Sequence, residues 1–440
     1  MVPRLSLLVL LFTATLAGAQ CPPVVPVANG ALPLPLFPPT NPWNVDISGA
    51  PVDPASASYI AFINNGGTRR LHPDFGGEVT PGSVGIYGMP YAIVDGSQPK
   101  LAVTFQYASE SDGVDAAGRG VPFYPIPMQA ATQAHWVEGG APGNVDQRNA
   151  GDRHLLVVDC TNRRLYELYN AWYDTANARW HAGSGAAFDL TSDARRPDGW
   201  TSADAAGLAI LPGLVRYDEA WNAGGAEIGH AFRVTVRATN GYVYPASHRA
   251  GSTAGALPMG ARLRLRAFVG GQDPALRTSD PNVRRIFRAM QKHGLIVADN
   301  GSDLYVTGTF DTRWNNDVLN PAFALLSASD FEVVQLGWKP AVAAAALASL
   351  TALPARVQGG VAFFAVVALA APAPAGGVTV ALASSDPALV AAPATVTVPA
   401  GATSAKVMIA THPARSDRTV TLTATLAGAA RTAAVAVTLR

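Results

Sequence analysis

His154-Leu155-Leu156-Val157-Val158-Asp159, then Cys160-Thr161-Asn162-Arg163, then Arg164-Leu165-Tyr166-Glu167-Leu168-Tyr169: two apolar and aromatic runs flank a polar four-residue turn. The pattern predicts an antiparallel hairpin. Outward from it, residues 230–236, 242–244, 262–266 and 305–308 alternate apolar and polar positions, as half-buried strands do. One helix is well signalled. Ser279 or Asp280 is its cap, Pro281 suits its first turn, and Gly294 follows the basic end at Lys292-His293. Val283, Ile286, Phe287 and Met290 recur at helical spacing and predict one buried face. With 42 Gly, 34 Pro and only 14% charged residues, the composition favours tight turns over a helical bundle. The expected fold is mainly β: a main domain built as a β-sandwich or curved sheet with one or two helices, followed by a second sandwich.

Four segments are expected. Residues 1–19 read as a secretory signal peptide: Arg4, an apolar run over residues 5–12, and small residues ending in Ala17-Gly18-Ala19. Gln20 stands where a lipoprotein signal carries a small residue, which argues against lipidation of Cys21. Residues 20–338 form the main domain. All eight Trp and all twelve Tyr lie within it, and the chain then turns to Ala, Val, Thr, Pro and Gly. That shift marks residues 339–346 as a linker and 347–440 as a separate domain. No later stretch is long and apolar enough to be a membrane span. A net charge of +1 offers no field for nucleic acid. The two cysteines, Cys21 and Cys160, read most simply as one disulfide in an oxidising compartment, with two free thiols as the alternative. The sequence carries no signal for an oligomeric state.

In the C-terminal domain, residues 378–382, 394–398, 405–409 and 420–424 are short alternating strands, the pattern of an antiparallel sandwich. With the turns Ser384-Ser385-Asp386-Pro387 and Val398-Pro399-Ala400-Gly401, this segment resembles the bacterial immunoglobulin-like modules appended to secreted proteins. That resemblance implies spacing or surface attachment. In the main domain, Gly151-Asp152-Arg153-His154, Arg196-Pro197-Asp198-Gly199-Trp200-Thr201-Ser202-Ala203-Asp204-Ala205-Ala206-Gly207-Leu208, Leu211-Pro212-Gly213-Leu214-Val215-Arg216-Tyr217-Asp218-Glu219 and Pro258-Met259-Gly260-Ala261-Arg262 carry a second resemblance. They resemble an uncharacterised family of secreted bacterial proteins over residues 40–337, and this resemblance implies no catalytic assignment.

Residues 195–219 mix Trp200, Asp204, Arg216, Asp218 and Glu219 without a strand or helix period. Such segments build binding sites on rigid sheets; the alternative is a solvated loop with Ser202 or Asp204 capping a helix. Asp152, Glu167, Asp204, Glu219, Asp299 and Asp311 sit beside aromatics, glycines or arginines rather than in charge runs. They are the candidate catalytic acids, with His230 as a further candidate; the alternative makes them turn residues or partners of Arg153, Arg196, Arg216 and Arg313. Trp200, Trp314, Tyr244, His154, His248, Arg216 and Arg233 are candidate substrate-binding residues. A histidine on an apolar face is more often a hydrogen-bonded core residue, which is the competing reading of His154 and His230. No HxH or HExxH spacing and no phosphate loop is present, so neither metal nor cofactor is expected. Asp299-Asn300-Gly301-Ser302-Asp303 reads as a turn rather than a calcium loop. Arg262, Arg264 and Arg266 read as the solvent face of a strand, or as the lining of a groove for an acidic sugar.

The leading expectation is a secreted glycoside hydrolase that cleaves extracellular polysaccharide with a carboxylate pair. One alternative is a non-catalytic carbohydrate or surface-binding protein. Another is a polysaccharide lyase using His230, Tyr244 and the arginine stripe.

Overall fold

A computed structural model describes residues 25–27, 36–221, 224–340, 345–374 and 377–439. The expected signal peptide, Cys21 and residues 341–344 of the expected linker lie outside them. The chain divides into two compact units between Trp338 and Lys339. The fold is mainly β, with several sheets and one curled into a half-barrel.

The first unit carries strands β1 Val25–Val27, β2 His72–Asp74, β3 Tyr91–Val94, β4 Val103–Phe105, β5 Leu155–Asp159, β6 Arg164–Tyr169, β7 Trp172–Asp174, β8 Arg179–Ala182, β9 Ser184–Asp189, β10 Phe232–Val236, β11 Arg262–Leu265, β12 Leu295–Asn300, β13 Tyr305–Thr307 and β14 Phe331–Val333. They form a five-stranded sheet β1-β3-β5-β6-β9, a six-stranded sheet β14-β11-β12-β10-β13-β2 and a small sheet β4-β8-β7. The predicted hairpin is β5 and β6, paired Val157 to Tyr166. Asp159 closes its turn, accepting from the backbone and side-chain nitrogens of Asn162 at 2.9 and 2.7 Å.

The strands are not half-buried. Leu156, Val158 and Leu165 pack into the core that also holds Phe232, Val234 and Leu295. Leu155, Val157, Tyr166 and Leu168, on the other face of the same sheet, bury against Phe105, Tyr124, Trp136 and Trp180. The chain between residues 101 and 182 supplies that second cover, so period-two alternation here separates two cores rather than core from water. Residues 242–244 form only an isolated bridge, Tyr242 to Met259, because Gly241 turns the backbone at φ 71° and Pro245 lacks an amide to continue a ladder.

The arginine stripe is also not a solvent face. Arg262 and Arg264 are 6% and 9% exposed. Arg264 donates to the carbonyls of Ser48 and Ala50 at 3.0 and 2.9 Å and pairs with Glu332 at 2.6 Å. Arg262 donates to the carbonyls of Pro42 and His293. Guanidinium groups with five donors are buried here by carbonyls of a loop that has no strand partner of its own.

The helices are α1 Ser56–Asn64, α2 Gln129–Thr132, α3 Tyr217–Ala220, α4 Pro281–Lys292 and α5 Asn316–Phe323. The well-signalled helix is α4. Asp280 is its cap, accepting from the amides of Asn282 and Val283 at 2.7 and 3.2 Å, a contribution of about 1 kcal/mol. Val283, Ile286, Phe287, Ala289 and Met290 are its buried face, and Gly294 ends it at φ 78°.

In the second unit, β15 Leu347–Leu353, β16 Arg356–Gln358, β17 Phe363–Leu369, β18 Val378–Ser384, β19 Val390–Ala391, β20 Thr395–Val398, β21 Ser404–Thr411, β22 Arg418–Leu426 and β23 Ala429–Thr438 build two sheets, β15-β17-β21-β19 and β16-β23-β22-β18-β20. Their inward residues, among them Val367, Val380, Ile409, Leu422 and Val435, share one core. This is a sandwich, and the strict alternation along β18 shows why the pattern was readable: here one face of each strand does meet water.

Candidate active site

Within residues 195–219, positions 195, 197–199 and 218 are exposed, whereas 202–216 are an irregular segment buried within the first unit, and neither Ser202 nor Asp204 caps a helix. Burial is possible because the backbone is satisfied by neighbours. Glu167, fully buried on β6, accepts from the amides of Ile210 and Leu211 at 2.9 Å, and the amide of Val215 donates to Thr307. Burial pushes the Glu167 carboxyl up to about 7 against these amide donors. Glu167 therefore holds the segment in place from beneath.

The segment delivers Asp204, which is 0% exposed, to Arg233 on β10. The pair is bidentate, with Nε and Nη2 of Arg233 both 2.8 Å from the carboxylate. The same guanidinium reaches Asp299 of β12 at 3.1 Å and the Thr307 hydroxyl of β13 at 2.9 Å. Burial outweighs the attraction of Arg233 at Asp299 and pushes its carboxyl up to about 6, with Asp204 adding to the rise. Arg233 itself is held well above its ordinary value, its desolvation outweighed by Asp204 and Asp299.

His154, at the start of β5, aims Nδ1 at Glu138 (2.6 Å) and Nε2 at the Ala203 carbonyl (3.0 Å). Both partners accept only, so both ring nitrogens carry protons and the imidazolium is the form that fits. Burial alone would lower this histidine, but Glu138 raises it to about 9. Burial would likewise raise Glu138, yet His154 holds it below its ordinary value. The sign for stability follows: a histidine raised from 6.5 to about 9 contributes fully below pH 6.5 and loses that contribution as pH rises through 9. His154→Gln is expected to remove this dependence, so the wild-type minus variant difference in unfolding free energy shrinks between pH 7 and 10.

A cavity of about 380 Å³ opens on this network, lined by Tyr107, Glu110, Asp152, Tyr169, Asp204, His248 and Asp299. Asp152 is exposed at its rim. It is positioned by Arg153, 2% exposed, which anchors residues 141–145 through three carbonyls, and by the Asn170 amide, which donates to the Asp152 carbonyl at 2.7 Å. His248 Nδ1 donates to the Ala205 carbonyl at 2.8 Å, and its Nε2 lies 4.0 Å from Glu110.

Asp152, Asp204, Asp299, His154, His248 and Arg233 thus meet in one place, with Glu167 directly behind. Other predicted residues lie elsewhere. Glu219, Arg216 and His230 form their own buried group: Arg216 pairs with Glu219, whose other oxygen is 2.6 Å from His230 Nε2. Burial and then Arg216 push that imidazole down to about 3, as for a core histidine. Trp314 donates to the Thr309 carbonyl at 2.9 Å among Phe75, Tyr217 and Trp221. Asp311 is held by Arg313. Trp200 is covered by Arg196 and Tyr244 by Arg195. Neither aromatic lines the cavity, whose aromatic walls are Tyr107 and Tyr169. Tyr107, Glu110, Glu138 and Tyr169 carry no local signal in sequence, except that Tyr169 ends the hairpin strand that Glu167 occupies. Among the described residues, no group of three or more His, Cys, Asp or Glu is arranged to hold a metal, and no helix is long and apolar enough to cross a membrane. The chain matches no protein-family model and no curated protein.

Proposed function

We propose that the protein is a secreted glycoside hydrolase acting on extracellular polysaccharide, with Asp299 as acid and Asp152 as the second carboxylate. The observation that carries this reading is their shared cavity. Within it Asp299 is a carboxyl that keeps its proton up to about pH 6, while Asp152 is open to water. Asp299 protonates the leaving glycosidic oxygen as the bond to the anomeric carbon breaks. Asp152 either takes the proton of the attacking water or attacks that carbon itself, water then completing the cleavage. Arg233, 3.1 Å away, stabilises the Asp299 carboxylate that proton transfer leaves behind, and Asp204 holds Arg233 in position. Tyr107 and Tyr169 offer faces for sugar rings.

The lyase reading has less support. His230 is bound to Glu219, Tyr244 stands under Arg195, and Arg262 and Arg264 are spent on backbone carbonyls. Export and the Cys21–Cys160 disulfide belong to the same proposal. Val25 of β1 pairs with Ile93, and the next residue, Val94, accepts the Cys160 amide at 3.0 Å, so the chain just past Cys21 joins the sheet beside Cys160.

The test is product analysis after incubation with a panel of neutral and acidic polysaccharides. Reducing ends without ultraviolet absorbance are expected. Unsaturated products would favour a lyase, and binding without turnover would favour a non-catalytic carbohydrate-binding protein.

A further inference from the structure

A second cavity of about 230 Å³ lies on the other side of the same charged partition. Its lining includes Asp74, Tyr87, Glu138, Gln147, Asp152 and Thr307. Three links tie it to the first. Asp152 lines both cavities. Arg233 bonds Thr307 in the wall of one, and Asp204 and Asp299 in the wall of the other. His154 bonds Glu138 on one side and the carbonyl of Ala203 on the other. The partition is therefore two hydrogen-bonded groups joined through the Ala203-Asp204 backbone, and the exposed Asp152 lines the spaces on both sides.

The second cavity is furnished for a ligand. Tyr87 is 46% exposed at its edge. It is brought there by Gly88, at φ 83°, where a Cβ would stand 2.8 Å from the Gly308 carbonyl; only glycine lets this turn lie so close to the β13 extension. Arg153, 2% exposed in the cavity wall, keeps an Nε–H with no protein acceptor. An unpaired buried donor is costly unless a ligand or water meets it.

Charge restricts what fits. Asp74, Glu110, Glu138, Asp152, Asp204 and Asp299 line the two cavities, whereas Arg153 is the lining guanidinium and is buried against carbonyls. Arg233 and His154 are already committed to Asp204 and Glu138. With those pairs set aside, Asp74, Glu110 and Asp152 still turn like charge toward a chain bearing carboxylates or sulfates.

We infer that the two cavities are consecutive subsites of one cleft, and that its ligand is an extended glycan without anionic groups, crossing at Asp152 with Tyr87 stacking on a sugar beyond the crossing. This rests on the proposed hydrolase reading for the bond that is cut, but not for binding. The test measures affinity of the full chain for mixed-linkage glucan, galactomannan, xylan and polygalacturonate, and for oligomers of increasing length from any neutral polymer that binds. At least one neutral polymer is expected to bind and polygalacturonate is not. Tyr87→Ala and Gln147→Ala are expected to weaken binding of long oligomers about tenfold more than that of short ones, equivalent to ~1.4 kcal/mol. Equal losses at every length, no loss, preference for polygalacturonate, or no binding to any neutral polymer would overturn the inference. Length-dependent binding without cleavage would leave it standing and remove the hydrolase reading instead.

Discussion

Arg233→Met is expected to destabilise the first unit by about 3–5 kcal/mol, the largest single effect we anticipate for a conservative change in volume. The cause is not the loss of one ion pair. Asp204 is 0% exposed, and without Arg233 its charge would be left buried with only the Ala205 amide donating to it. Asp299 and Thr307 would lose the same partner. Replacing both members, Arg233→Met with Asp204→Leu, is expected to recover much of the loss, because the fully buried carboxylate then leaves with its partner and Asp299, which lines the cavity, is met by water. The measurement is clean in this protein. Every Trp and Tyr precedes residue 339, so intrinsic fluorescence during urea unfolding reports the first unit alone. Equal stability of Arg233→Met and wild type would mean that the bidentate pair is not the anchor of the buried segment.

Asp299→Asn is expected to lower kcat on the cleaved polysaccharide by roughly 10²–10⁴-fold, the usual worth of a positioned general acid. Asp152→Asn is expected to do the same. The two are separated by pH. Asp299 must be protonated to act, and burial raises its pKa from 3.8 to about 6, so wild-type activity falls as pH rises through about 6. Asp299→Asn removes that alkaline limb, whereas Asp152→Asn keeps it at reduced amplitude. The same shift acts on stability with a definite sign. A raised carboxyl contributes fully below pH 3.8 and loses that contribution as pH rises through 6, so Asp299→Asn flattens this part of the stability profile. A pH-rate profile of Asp299→Asn that matches wild type would remove Asp299 from the acid role.

The hairpin, helix α4 and the second sandwich were legible because each is specified by its own side chains. In β5 and β6 the turn is closed by Asp159 and Asn162 within the turn itself. In α4, Asp280 caps three residues from Val283, and the buried face repeats at helical spacing. In β18 the alternation of Val378, Val380 and Leu382 with polar or small neighbours maps directly onto core and water. The arginine stripe of β11 looks the same on paper and is buried instead. Nothing local shows that carbonyls from residues 42–50 would come to cover it.

The candidate site divides along the same line. Asp152, Asp204 and Asp299 stood out by their neighbours, but Glu219 and Asp311 stood out equally and are tied to Arg216 and Arg313 away from the cavity. By itself, the sequence determined a mainly β chain of two units, the second a sandwich, the position of their boundary and the set of acids available for chemistry, since composition and periodicity are properties of neighbours along the chain. Only the tertiary structure decided which acids share a cleft. Arg233 meets Asp204 across 29 positions, Asp299 across 66 and Thr307 across 74. These encounters depend on which sheets pack and how deeply, and burial, which sets the proton affinity of Asp299, exists only once that packing has formed.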